Sequence, residues 1–419
     1  MSLRNFPDAN TSIVLDFRKS KKLDPRITFE RASNATTTPP TIGEGSGVVN
    51  GQFFEFQEDV ARLTDKGLLI EEARTNLLLH SEDFTQSPWV PRRINLTTST
   101  TPAPDGSTNA YLCTNTSTND TVYLYRSQGS NPDVIPDGNG MAASFFVKYT
   151  NTQYAWITTG EPGKIVWFDL INGTKGTDDT DNDSGVMEPV GNGWYRCSVS
   201  VVKTSAALEE PGVGLSRTDG VLQSNQPGDS FLVWGGQFEM RSSSQGPYAT
   251  SYIPTNGAEV TRAADVANML NIDWFNASES TLVIENNAPW WNGNYAFFSV
   301  VNSSGVTTNR VSYRGTNYLA SSTNGAMWAS GAVPPAPSGK SYFNTLIKYA
   351  FVYDSTDAVV ASSYGLGNPR SNTTGSIPVG IDQAKISQLE TGVVLTAYVT
   401  RVSYYPKRLS DDSLEALTS

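Results

Sequence analysis

The chain has 419 residues, 41 of them acidic and 30 basic, giving a formal net charge of -11, and only 17% of its residues are charged, against about 25% in an average soluble domain. That balance disfavours non-specific nucleic-acid binding, which needs cations to neutralise phosphates, and the length calls for more than one core. Two cysteines and a single histidine rule out a disulfide framework and a Cys/His metal array.

In chain order, MSLRNFPDAN carries no apolar segment, and no apolar run reaches membrane-spanning length anywhere. The expectation is a chain without a Sec leader or membrane insertion, folded in a reducing cytoplasm. The basic cluster Arg18, Lys19, Lys21, Lys22 lacks interleaved aromatics and reads as a solvated turn, and the Thr/Pro/Gly-rich stretch 34–51 reads as a loop. The stretch LLLHSEDF (77–84) places the one histidine, His80, beside Ser81, Glu82 and Asp83. These are the residue types of a hydrolytic triad, but triad members meet in space and neighbours along an extended chain point in opposite directions. A polar loop after an apolar run is the expected role.

From there to residue 405 the pattern is one of short alternating strands bounded by Gly, Asn, Asp and Pro. ASFFVKYT, KIVWFDLINGT and LIKYAFVYDSTD are examples, and Ile347, Tyr349, Phe351 and Tyr353 share one face. Asn172-Gly173 is a hairpin turn signal. Cys113 and Cys197 are expected in the core. At the end, LSDDSLEALTS offers Ser410 as N-cap, Asp411 and Asp412 for the positive end of the helix dipole, and a Leu409/Leu414 staple. The fold class expected is all-β. An N-terminal region (1–75) precedes two antiparallel β-sandwich (jelly-roll) domains (76–258 and 259–419), and a short helix closes the chain.

LDPRITFERASNAT (23–36), GLLIEEARTNLLLHSEDFTQSPWV (67–90), VGNGWYRCSVSV (190–201) and GPYATSYIPTNGAEVTRAADV (246–266) together resemble a module of bacteriophage virion proteins, especially tail-fibre and adhesin-like chains. The resemblance covers residues 12 to 266. It implies a virion protein whose middle domain is a carbohydrate-binding-module-like jelly roll, with residues 1–75 docking to the particle or to sister chains. AYVTRVSYYPKRLSDDSLEAL (397–417) is similar to the last strand and closing helix of concanavalin A-like, laminin-G-type sandwiches. The same resemblance implies a homotrimer assembled in the host cytoplasm and exposed on the particle surface, with other virion proteins and a host surface glycan as partners.

Sugar recognition commonly uses an aromatic face against a pyranose, with amides or carboxylates on its hydroxyls. NNAPWWNGNYAFF offers Trp290, Trp291, Asn292, Asn294 and Tyr295 in a turn-rich setting; the alternative is that these aromatics pack in the core or against a neighbouring subunit. Trp156, Trp167, Trp194 and Trp234 lie within alternating strands and read as core, although Trp194 shares a strand face with Arg196 and Ser198. Asp179, Asp181 and Asp183 alternate before Gly185, a spacing compatible with a loose calcium site but off the EF-hand pattern, so a solvated acidic loop is the competing reading. No other cofactor is expected, because phosphate-loop, dinucleotide and His-Glu-x-x-His motifs are missing. Three functions follow in order: non-catalytic attachment to host glycans, a purely structural virion component such as a capsid fibre, and a polysaccharide depolymerase.

Overall fold

The computed structural model describes residues 11–20, 22–38, 46–49, 53–127, 135–161, 163–180, 184–204, 209–242, 247–289, 295–303, 310–314, 319–323, 326–327, 333–338, 340–342, 344–354, 357–367, 379–389 and 392–419. Among the described residues the structure is all-β except for one helix, Asp411–Thr418. Ser410 accepts a hydrogen bond from the Ser413 amide as its N-cap, a contact that typically contributes about 1 kcal/mol. Leu409 and Leu414 are both buried beside Val352 and Val359, so the helix closes one sheet's outer face as its sequence anticipates.

Residues 89–241 form a jelly roll of two six-stranded antiparallel sheets. One, called here the covered sheet, runs Ile94–Thr98, Tyr111–Asn115, Ser230–Arg241, Gly140–Tyr149, Trp194–Val202, Val186–Gly191. The other, the open sheet, runs Thr174–Asp178, Ile165–Asp169, Tyr154–Thr158, Gly212–Ser216, Tyr123–Arg126, Trp89–Arg92. Alternate residues point inward, and Phe145, Val147, Cys197, Val199, Leu124 and Phe168 fill the space between the sheets. Cys113 and Cys197 are both free, fully buried thiols. The Asn172-Gly173 turn joins Ile165–Asp169 to Thr174–Asp178 with Gly173 at φ 66°, where a Cβ would lie 2.7 Å from the Tyr195 hydroxyl.

The second sandwich does not begin where local composition changes. Its eight-stranded sheet contains Ile13–Asp16 and Gly67–Ile70, both paired with the late strand Ala397–Tyr405, and Arg62–Thr64, paired with Gly67–Ile70; Ile13 lies opposite Tyr404, and Leu69 opposite Tyr398. Its seven-stranded sheet starts with Ile27–Glu30 against Val266–Met269. Ile13, Leu15, Ile27, Phe29 and Leu68 join a core with Tyr349, Phe351 and Tyr353. The stretch expected as an N-terminal region, 1–75, is thus divided: Ile13–Asp16, Ile27–Glu30, Arg62–Thr64 and Gly67–Ile70 are built into the sheets of the C-terminal sandwich, whereas Ala35–Thr37, Ser46–Val49 and Phe53–Phe56 pair into a small three-stranded sheet; strands this short have too little apolar surface to form a core alone.

Where the two sandwiches meet, charge is buried. The Arg62 guanidinium donates to Glu71 (2.7 Å), Asp265 (2.5 Å) and the Thr36 carbonyl (3.0 Å). Arg31 donates to Asp265 (3.2 Å) and to the Gln57, Ser33 and Val60 carbonyls. Asp265 also accepts from the Glu71 amide (2.8 Å). On the jelly-roll side, Arg241, Arg74 and the Tyr248 hydroxyl converge on Glu72, while Arg262 donates to the Glu72 carbonyl (2.8 Å). Further out, Lys66 lies 3.9 Å from Glu188 and over the Tyr398 ring. Arg31, Arg62, Arg241, Arg262 and Asp265 are all at most 1% exposed.

Removing one member of such a cluster strands its partners in a low-dielectric site. Asp265→Ala is expected to lower the unfolding free energy by about 3–5 kcal/mol, read from urea denaturation; a loss under about 1 kcal/mol would contradict the assigned role. Burial alone pushes the Glu71 carboxyl up, but the Arg262 and Arg62 guanidiniums and the Ser251 hydrogen bonds outweigh it and hold it at about 2, below its ordinary 4.5. A depressed carboxyl stabilises the fold above its unfolded value, and that contribution is lost as pH falls from about 4.5 towards 2. The urea midpoint is expected to drop across this window, and the drop is expected to be smaller in Glu71→Gln; equal slopes would contradict the linkage.

Candidate functional site: the open face of the jelly roll

Each sheet of the jelly roll has an outer face, and only the covered sheet's outer face meets the junction. There Trp194 and Trp234 pack with Phe53, Phe146 and Tyr252, their indole N–H groups donating to the Pro102 carbonyl (3.0 Å) and to Asn109 (2.8 Å). Both tryptophans are structural, and Trp194 is buried although it shares a strand face with polar residues. The open sheet's outer face points the opposite way, away from the second sandwich.

Across that face the strand register sets Trp167, Trp156, Gly214, Tyr123 and Arg92 side by side. Five strands at about 4.8 Å spacing make this row about 19 Å long. Gly214 is required by the packing: a Cβ there would lie 2.3 Å from the Trp156 ring, so the indole lies flat across the glycine. At Gly212 a Cβ would lie 2.9 Å from the Tyr125 Cβ and 3.3 Å from the Tyr123 ring, so the close pairing of these strands also needs this glycine. The Tyr123 ring leans on Trp156 (centroids 5.3 Å apart) and on Tyr125 (4.8 Å). Arg92 stands over Tyr123, 5.8 Å from the ring centroid. Trp156 and Trp167 are each 2% exposed, whereas Tyr123 and Tyr125 are half-buried and Arg92 is exposed.

One end of the row is fenced by Asp219, which accepts from the Thr177 amide (2.8 Å) and hydroxyl (3.0 Å). The Trp167 indole N–H has no acceptor among the described residues, an uncommon state for a buried donor. Nearby, burial pushes the Asp169 carboxyl up, but hydrogen bonds from Asn172, Gln153 and the Ile171 amide bring it below the usual range. A carboxylate so held is a structural acceptor and a poor proton donor.

Trp290, Trp291, Asn292 and Asn294 lie outside the described residues, as does Trp328. Tyr295 is described and is 5% exposed, packed in the core of the second sandwich. Its ring is thus buried, where the sequence expectation had it in a turn-rich, sugar-facing setting. Asp181 and Asp183 are outside the described residues, and Asp179 is exposed, its amide donating to the Ile165 carbonyl. Among the described residues no group of three or more His, Cys, Asp or Glu side chains is arranged to hold a metal.

The triad types at 80–83 serve structure. Ser81 is fully buried, and its hydroxyl accepts from the Tyr252 hydroxyl (2.8 Å) and the Thr255 amide (2.8 Å), while Asp83 caps the turn at Thr85 and Gln86. A separate cavity of about 190 Å³ lies between Asn34, Thr36 and Glu55 on one side and Tyr252, Pro254 and Val260 on the other. It is smaller than ordinary ligand pockets of about 300–1,000 Å³.

No family model and no curated protein sequence matches the chain. Among solved structures, the NanB sialidase of Streptococcus pneumoniae is similar over 34% of this chain and 24% of its own, at 19% identity and a TM-score of 0.29; the match thus spans about a quarter of that enzyme. The CBM22 tandem of Paenibacillus barcinonensis Xyn10C is similar over 80% of this chain and 98% of its own, at 11% identity and a TM-score of 0.26. Domains LG4-5 of the mouse laminin alpha1 chain are similar over 66% and 82%, at 10% identity and a TM-score of 0.21.

Sequence reading passed over Tyr123, Tyr125 and Gly214. The signal was present in the alternation of VYLYR and of GVGLS, but only the pairing of strands some 90 residues apart puts them on one face. Gly214→Ala is expected to tilt the Trp156 indole and cost about 1–3 kcal/mol, seen as a lowered melting temperature with a shifted tryptophan emission. An unchanged spectrum and melting point would show that the indole does not depend on the glycine.

Proposed function

We propose that the protein is a non-catalytic attachment protein that binds surface glycans of a host cell through the open face of its jelly roll. The observation that carries this reading is the aromatic row: the half-buried rings of Tyr123 and Tyr125 lie beside a buried tryptophan, on the face of the jelly roll opposite the junction. Flat aromatic faces flanked by polar groups suit the apolar side of a pyranose. Hydrolysis would need an acid and a second carboxylate about 5 Å apart, or a wider pair for inversion, and Asp169 on this face is engaged as an acceptor by Asn172 and Gln153.

The resemblance of 12–266 to bacteriophage tail-fibre and adhesin-like modules supports the finer part of the proposal. In it the chain is a virion protein, assembled in the host cytoplasm as a homotrimer and displayed on the particle. A second reading is a structural virion component whose domains bind other subunits and no sugar.

A glycan array of bacterial surface polysaccharides separates the two. Wild type is expected to bind a subset of sugars, and Tyr123→Ala to weaken that binding at least about tenfold, the loss of one stacking contact with its enclosed neighbours, while far-ultraviolet circular dichroism stays unchanged. Binding that survives both Tyr123→Ala and Tyr125→Ala would remove the open face as the site. An absence of glycan binding by the folded oligomer would favour the structural reading.

A further inference from the structure

The open face carries a charge whose environment narrows the ligand. Arg93 is tied to Asp120 (2.5 Å), Arg217 to Asp229 (2.7 Å) and Lys175 to Asp178 (3.2 Å). Arg92 differs. It is exposed at the end of the aromatic row with its guanidinium over the Tyr123 ring, and no hydrogen bond or ion pair engages it among the described residues. Glu210, the acidic neighbour of Tyr125, forms no ion pair with it. The planar fork is thus held against an aromatic face with its donors unspent, the geometry that takes a carboxylate through two parallel hydrogen bonds.

Resting on the reading that the open face binds glycans, we infer that the ligand is an acidic polysaccharide: a uronic-type sugar packs against the half-buried Tyr123–Tyr125 pair and its carboxylate pairs with Arg92. The chain's net charge of -11 repels such a polymer at long range, so recognition has to come from this local pair. An unpaired cation beside a sugar platform also disfavours neutral glycans, which would leave the guanidinium partly desolvated and only half satisfied. Selectivity then comes from Arg92 and stacking affinity from the tyrosines.

The test uses the full-length protein and total surface polysaccharide extracted from cells to which it adsorbs, either native or with its carboxyls reduced to alcohols by carbodiimide and borohydride. Titration calorimetry is expected to show native material binding roughly tenfold to a hundredfold more tightly than reduced material, the range of one charge-assisted contact. Arg92→Ala is expected to erase that difference while keeping the weaker binding to both, with Arg92→Lys intermediate because an ammonium lacks the fork. Tyr123→Ala is expected to weaken both. Equal affinity for native and reduced polysaccharide, or a preference that persists in Arg92→Ala, would overturn the acidic-ligand inference and leave glycan attachment standing. Binding to neither form would overturn both.

Discussion

The arrangement of this molecule depends on one buried charge cluster. Asp265 receives Arg31, Arg62 and the Glu71 amide at a point where three remote segments of chain meet, and Glu72, next in sequence to Glu71, receives Arg241 from the jelly roll and its own near neighbour Arg74. Burying so many charges is costly unless each is paired and hydrogen-bonded. The cluster tolerates little rearrangement, and this makes it a specifier of geometry more than a source of net stability. Asn76 reinforces it with neutral bonds, donating to the Gly236 and Ile253 carbonyls and accepting from the Leu78 and Phe238 amides.

That constraint decides which surfaces remain available. With Arg241 and Glu239 at the end of the long strand Ser230–Arg241 committed to the junction and Trp234 beneath Phe53 and Tyr252, the centre of the covered sheet's outer face is taken up by packing. The second sandwich loses one of its faces to the closing helix in the same way. The opposite sheet of the jelly roll keeps its aromatic row, and the glycines of Gly212–Ser216 let those rings lie flat on the backbone. Site and junction are thus two sides of one sandwich, joined through the core that Phe145, Leu124 and Phe168 fill.

Much of the fold was legible because it rests on local pattern. Period-two alternation marked the strands around Phe145, Phe168 and Tyr349, Asn172-Gly173 marked a hairpin, and Ser410 with Leu409 and Leu414 marked the helix. Pairing partners were not legible. Nothing near Ile13 or Ile27 announces that their partners are Tyr404 and Met269, so composition suggested a separate N-terminal region where the chain builds the far sandwich. The phrases that carried the phage-module resemblance are the ones supplying Arg31, Glu71, Glu72, Arg74, Arg262 and Asp265. The candidate site was missed for the complementary reason: tryptophans drew attention by type, whereas Tyr123 and Arg92 become a surface only through register.

The most direct test of the central proposal, attachment to glycans, is adsorption of the protein to intact bacterial cells before and after periodate oxidation of their surface sugars. The account expects saturable adsorption that periodate abolishes. Adsorption unaffected by periodate, or none by the correctly folded protein on any cell tested, would contradict it.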